Sequence, residues 1–320
     1  PTYVTNEYDS KEWIKRYLDS YPVRRAFGLD SETSGLDKVR DKVIIWSVSN
    51  VDSRLCLPAS HLPIWKESVL ENPEINLDLS NPKFDMHMFA NTGVDVSKAG
   101  EIRDTVTQSW LLDENKQGRH GLKETTLEWL GRSSPTFEQV FGKLPPKRGG
   151  KLLVTPGDLI QAALADANRY LEAVDYASLD AYNSTVLREV LDDAMNNVEL
   201  YPGFTLKQYY YMMEVPFTKV LWHMERRGFT VDQGYFKSIE VPMKQEIEAI
   251  EKKLNQVAGE LLNVNSVPQI RKFFFDTLGK TPIKYTDGGA TGNKQPSTDA
   301  EVLEEWAGQG DKNAENLLAH

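Results

Sequence analysis

Apolar residues along the first part of the chain recur in two rhythms, and each predicts a different element. Residues 10–21 place Trp13, Ile14, Tyr17 and Leu18 at helical spacing, with Ser10 as the expected N-cap. The run Ala26 to Leu29 reads as a buried strand, and residues 43–48 and 54–57 read as two more strands joined by a turn at 50–53, an antiparallel meander. Residues 64–70 predict a helix. Residues 75–79 alternate as a strand does, and Ser80-Asn81-Pro82 then leads into a helix over 83–91. Short apolar elements and helices alternate through 102–112 and 121–130, the latter stopped by Gly131. Residues 156–196 are rich in Ala and Leu, with few breakers, and predict helix.

Tyr201-Pro202-Gly203 interrupts this pattern and predicts a boundary, giving one unit over 1–202 and a second over 203–320. Beyond it the expected elements are long helices: 205–227 ending at Gly228, 241–262 with charge pairs such as Glu248 with Lys252, and 267–278. The glycine-rich stretch 286–295 reads as flexible, and 297–306 as a short helix capped by Ser297 or Thr298. These elements predict an α/β unit followed by a mainly helical segment.

The first strand ends in Asp30-Ser31-Glu32. Residues i and i+2 of a strand emerge on one side, so two carboxylates stand together and repel. A bound cation would turn that repulsion into binding energy, and the chain should supply further oxygen ligands elsewhere.

Composition narrows the chemistry. The 320 residues suit two compact units. One cysteine, Cys56, excludes a disulfide framework and a multi-thiolate zinc site, and the five histidines do not pair at metal-binding spacing. No apolar run reaches the roughly 18 residues of a membrane span, and no signal peptide opens the chain, so a cytoplasmic protein without a membrane partner is expected. Pro1 fits either removal of an initiator Met or an excised fragment. A net charge of -10 argues against a nucleic-acid partner, but Lys143, Lys147, Arg148 and Lys151 cluster without an acid in a Pro/Gly-rich stretch.

Three motifs occur in order: Asp30-x-Glu32 on a strand, Asn81-x-x-x-Asp85 after another, and Tyr176-x-x-x-Asp180 on a late helix. Each alone has a bland reading: a chance pair, a helix cap at Asp85, a surface pair on one helix face. Together they resemble the three exonuclease motifs of the DEDD superfamily, in its tyrosine branch, which implies a ribonuclease H-like fold, a mixed sheet flanked by helices. The histidine branch carries His five residues before the last Asp, where this chain has Asp175. The resemblance implies Asp30, Glu32, Asp85 and Asp180 as ligands of two Mg²⁺ ions, with Mn²⁺ able to substitute, held roughly 4 Å apart. It implies Asp30 as the bridge between the ions and Tyr176 as the group that orients the attacking water.

Further positions resemble the proofreading domain of family A DNA polymerases. Leu36 and Phe137 match apolar residues that pack against the terminal bases of a frayed 3′ end, and Asn81 matches a contact to the substrate backbone. Glu214-Val215-Pro216-Phe217 and Met224-Glu225-Arg226-Arg227-Gly228 look like the opening of the polymerase domain, and Asn263-Val264-Asn265-Ser266 with residues 296–305 resembles part of its thumb. The implied activity is 3′→5′ proofreading hydrolysis in DNA replication, on single-stranded 3′ ends and beside primer–template duplex. No segment resembles the palm and fingers. The expected parent is a DNA-directed DNA polymerase whose palm and fingers portion is a missing partner; this chain alone would not polymerise. No room precedes the first motif for a 5′ nuclease domain, so the parent is expected to be trimmed or of the shorter type common among phages. Two alternatives stand beside this: a ribonuclease D-like exoribonuclease, opposed by the thumb-like half, and a non-catalytic DNA-binding module, which requires a lost ligand where all four carboxylates are present.

Overall fold

In the computed structural model, residues 1–20, 25–116, 120–145, 154–287 and 292–320 are described. Lys147, Arg148 and Lys151 of the basic stretch, and part of the glycine-rich segment 286–295, lie outside them. The chain divides into two compact units, Pro1–Gly228 and Phe229–His320.

The first unit is built on a six-stranded mixed sheet: β1 (Thr2–Tyr3), β2 (Arg25–Thr33), β3 (Val43–Ser49), β4 (Arg54–Pro58), β5 (Ile75–Leu79) and β6 (Ile102–Asp104), in the order β1-β4-β3-β2-β5-β6. The expected meander is present, since β3 runs antiparallel to both β2 and β4, while β5 and β6 continue parallel to β2. One face is a large apolar core. Phe27 and Leu29 of β2 join Trp46 and Leu57 there, under α1 (Glu7–Ser20), α2 (Leu62–Trp65) and α3 (Pro82–Asn91). Between β6 and the opposite face come α4 (Thr105–Leu112), α5 (Leu122–Leu130) and α6 (Phe137–Phe141). That opposite face carries Ile45 and Cys56 against α7 (Pro156–Ala165) and the long α8 (Tyr170–Asn196).

Helix α8 turns a face of small residues inward: Ala173, Ala177, Ala181 and Thr185 are all buried. Their shortness permits close approach, and Gly28 completes it. A Cβ at Gly28 would stand 1.9 Å from the Ala181 carbonyl oxygen and 2.4 Å from Thr185 Oγ1. A bare backbone at this point lets the helix rest on the strand.

Two local expectations change. Ser10 is no cap: it lies one turn inside α1, buried, with its hydroxyl 2.8 Å from His61 Nδ1, while Asn6 accepts the Asp9 N–H at the helix start. Compact packing carries the first unit on to Gly228, past the break read at 202. After the small hairpin β7 (Glu199–Tyr201) and β8 (Phe204–Thr205), the helices α9 (Leu206–Tyr209) and α10 (Val215–Arg227) pack back on the sheet unit. Tyr210 is buried beside Met195, Trp222 joins the main core, and the Tyr210 hydroxyl accepts the Asp104 N–H at 2.7 Å. These anchors outweigh the break signalled by Pro202-Gly203.

The second unit is helical, with α11 (Gln233–Ala258), α12 (Val267–Arg271), α13 (Ala300–Gly308) and α14 (Lys312–Ala319). Its core gathers Ile250, Leu254, Phe273, Phe274 and Trp306, with the rings of Phe274 and Trp306 stacked at 5.0 Å. Helix α11 begins at Gln233, ahead of the expected 241, and contains Pro242 without ending there. Asp232 caps it by accepting the Tyr235 N–H. Asp299 caps α13, rather than Ser297 or Thr298.

Candidate active site

The carboxylates come from the end part of β2, the first turn of α3 and the middle of α8. Asp30 and Glu32 lie within β2, opposite Ser47 and Ile45 of β3, and the register shifts immediately after Glu32. The ladder to β5 ends at Gly28, so the two acids stand beyond that pairing, where β5 turns into α3. Asp85 lies in the first turn of α3 and is buried; it accepts a hydrogen bond from Ser31 Oγ at 2.6 Å. It is therefore not the cap of α3. Asp180 comes from α8, next to the Ala181 carbonyl that touches the Gly28 position.

Their electrostatics mark a crowded site. Burial, and after it Asp85, Asp180 and Glu32, push Asp30 well above the usual carboxylate range. Burial and the charges of Asp180 and Asp85 raise Glu32 to about 8, although Lys123 opposes them. Burial raises Asp85 to about 7 against the hydrogen bond from Ser31. Asp180 is raised by burial and drawn back by Lys123. Among the described residues no three His, Cys, Asp or Glu side chains form a closed cluster able to hold a metal ion. The donor set itself, four carboxylates, has the chemistry of a site for hard divalent cations.

A stability consequence follows. These acids keep their protons to higher pH when folded than when unfolded, so their contribution to stability is present at low pH. It is lost as pH rises from about 4.5, where Glu32 ordinarily ionises, through about 8. In chelator, urea unfolding should show wild type falling relative to Glu32→Gln by on the order of 2 kcal/mol between pH 5 and 8, a figure reduced for partial solvent access. Equal pH profiles would refute the coupling.

Tyr176 stands one turn before Asp180 on α8. Its ring meets Phe141 at 5.1 Å and Phe137 at 6.1 Å, both edge-on, and Lys123 Nζ lies 5.5 Å from its centroid. Burial, then Glu32, Asp180 and Asp30, raise the phenol, which stays protonated near neutrality. Asp175, where the histidine branch would have its histidine, pairs instead with Arg54 at 2.7 Å. Phe137 opens α6 behind a capping box of Thr136 and Gln139 and is half-buried against the α7–α8 cluster. Leu36 is 82% exposed.

Asn81 has φ 58°, the left-handed region, which Asn tolerates better than most residues. Its N–H donates to Asp104 Oδ1 at 2.9 Å, and its side chain makes no capping bond to α3 and is exposed. Lys123 was not foreseen from sequence. It lies outside the three motifs, and only the fold brings α5 beside α8. Lys143, in the described part of the basic stretch, is exposed.

Comparison with known proteins agrees with this architecture. The family model for the 3′-5′ exonuclease of DNA polymerase A matches residues 1–196. DNA polymerase I of Pseudomonas aeruginosa is 29% identical over 311 residues, covering 93% of this chain and 31% of the relative. The DNA polymerase of Escherichia phage T5 is 27% identical over 335 residues, covering 96% of this chain and 36% of its own. The chain thus spans about a third of these relatives, and the alignments run past residue 196. Among solved structures, the POL domain of Pol1 from M. smegmatis, in complex with DNA primer-template and dNTP, superposes with a TM-score of 0.63 at 18% identity, covering 100% of this chain and 47% of that one. This likeness speaks for the fold, a ribonuclease H-like mixed sheet followed by helices. No helix among the described residues is long and apolar enough to cross a membrane. With the family model matching most of its length, the chain belongs to the 3′-5′ exonuclease family of DNA polymerase A.

Proposed function

We propose that this chain hydrolyses DNA from single-stranded or frayed 3′ ends, as the proofreading part of a family A polymerase acting in replication in the cytoplasm of a bacterial or phage-infected cell. The observation that carries the reading is the meeting of Asp30, Glu32, Asp85 and Asp180, from three separate elements, at raised pKa values that a divalent cation would relieve. Two Mg²⁺ ions suit this all-oxygen set, and Mn²⁺ would substitute. When bound, such ions supply charge stabilisation at the phosphodiester and lower the pKa of the attacking water.

The remaining groups act through their own chemistry. The protonated Tyr176 hydroxyl can hold a water by hydrogen bonding, and its ring is fixed by Phe137 and Phe141. Leu36 and Phe137 offer apolar surface to unpaired terminal bases, an interaction that tolerates any base. Asn81, held by its backbone, would meet the substrate backbone. We assign the exonuclease to residues 1–202 and read 203–320 as the beginning of the polymerase domain with part of the thumb. Primer–template duplex and the palm and fingers portion are its proposed partners.

The direct test is digestion of a 5′-labelled DNA oligonucleotide with Mg²⁺ or Mn²⁺, beside its RNA counterpart. Stepwise shortening of the DNA, stopped by chelator, is expected. Intact DNA would sink the reading, and preference for RNA would favour the ribonuclease D type.

A further inference from the structure

The motif Met224-Glu225-Arg226-Arg227-Gly228 looked at sequence level like the opening of a polymerase domain. In the structure it closes the sheet unit, outside the segment matched by the exonuclease family model. Its Glu225 and Arg226 side chains reach α3 and the residue 34–42 loop.

Glu225 of α10 takes three partners at once. Oε2 accepts from Lys38 Nζ at 3.3 Å and from His87 Nε2 at 2.8 Å, and Oε1 accepts from Lys83 Nζ at 2.5 Å. Burial alone would raise this carboxylate, but the hydrogen bonds from Lys83 and His87 outweigh it and bring it down to about 2, so it is ionised throughout the working range. Arg226 makes the second link. Its Nη1 donates to Asn91 Oδ1 at 2.7 Å, and Asn91 Nδ2 donates onward to the carbonyls of Lys38 at 3.1 Å and Asp41 at 2.8 Å.

All of these partners sit on two pieces of chain. Lys83, His87 and Asn91 belong to α3, which carries Asp85. Lys38 and Asp41 belong to the loop 34–42, which carries Leu36. That loop is folded on itself: the Asp41 carboxylate accepts from Ser34 Oγ and the Asp37 N–H, and the Asp37 carboxylate accepts from the Val39 N–H. Its tip nevertheless presents Leu36 and Val39 at 82% and 78% exposure. Two apolar side chains held in water on an ordered loop suit a surface that meets an apolar ligand.

We propose that Glu225 and Arg226 brace the 34–42 loop against α3, fixing where Leu36 and Val39 meet the unpaired bases of a DNA 3′ end. The inference rests on the proposed exonuclease function for its ligand, though not for the brace itself. Glu225 and Arg226 are positioning residues: neither is required to touch the substrate. A segment beyond the matched exonuclease region would then be needed for full grip on the DNA end.

The test uses the full chain carrying E225Q with R226Q, and E225Q alone as the milder variant. Hydrogen exchange at the amides of residues 37–42 should accelerate about tenfold in the double variant, with β2 and β3 unchanged. An unchanged loop would overturn the brace, and acceleration spread through β2 and β3 would reduce the pair to general stability and overturn it too. In oligonucleotide digestion, KM should rise about tenfold while kcat stays within about twofold. Leu36→Ala should raise KM in the wild type, yet add less than about twofold in the double variant; full additivity would overturn the proposal. Absence of activity in the wild type would sink the function reading, while the exchange result would still decide the brace.

Discussion

Replacing Asp30 and Glu32 together by alanine should leave the fold intact and lower exonuclease activity by about a thousandfold or more, since each factor of ten reflects 1.36 kcal/mol of transition-state stabilisation and a catalytic metal supplies several. The strand carrying them does not depend on their charge. Phe27 and Leu29 anchor β2 in the main core, and β3 pairs with it along most of its length. Removing two acids that repel Asp85 and Asp180 should also make the metal-free chain more stable than wild type at pH 8, where crowding is greatest. Metal separates the two proteins further. Ions at a hundred times their dissociation constant should stabilise wild type by about 2.7 kcal/mol and the variant hardly at all. Calorimetry with and without Mg²⁺, read beside digestion of labelled DNA, checks all three outcomes. Retained activity, or equal stabilisation by metal, would remove Asp30 and Glu32 from the proposed ligand set.

What could be read in the sequence was whatever depends on local pattern. The apolar run before Asp30 gave β2, the alternation through residues 75–79 gave β5, and strand periodicity placed Asp30 and Glu32 on one side. The helical spacing of Tyr176 and Asp180 likewise survives in α8. Features that depend on distant partners were not legible. Ser10 has a capping residue's chemistry, but His61, remote in sequence, claims its hydroxyl. Pro202-Gly203 does turn the chain, yet Tyr210 packs beside Met195, Trp222 joins the main core, and the compact unit ends at Gly228. The helix expected from 241 starts earlier, because Asp232 caps α11 and the helix continues through Pro242. Lys123 belongs to no motif, and the motif that holds Glu225 pointed to a different domain; their importance arises from what α5 and α10 are packed against.

Gly28 belongs to the same class, and its replacement should have the other large effect. Gly28→Ala places a methyl group 1.9 Å from the Ala181 carbonyl and 2.4 Å from Thr185 Oγ1, well inside contact distance. Backbone cannot yield as a flexible side-chain end can, so α8 must move away from β2. Overpacking of this kind costs about 1–3 kcal/mol, and more where the obstacle is main chain. The catalytic cost should be larger than the structural one. Asp180 is bonded directly to Ala181, and Tyr176 lies on the same helix, so both shift with it while Asp30 and Glu32 stay on the strand. A displacement of about 1 Å in a positioned group can lower a rate about a hundredfold. Gly28→Ala should therefore remain folded at 25 °C, with a lowered urea midpoint and exonuclease activity down by about a hundredfold. The main apolar core on the other face of the sheet would be untouched, and secondary structure by circular dichroism should match wild type. A variant as active and as stable as wild type would show that α8 does not depend on the bare backbone at Gly28 to bring Asp180 to the other carboxylates.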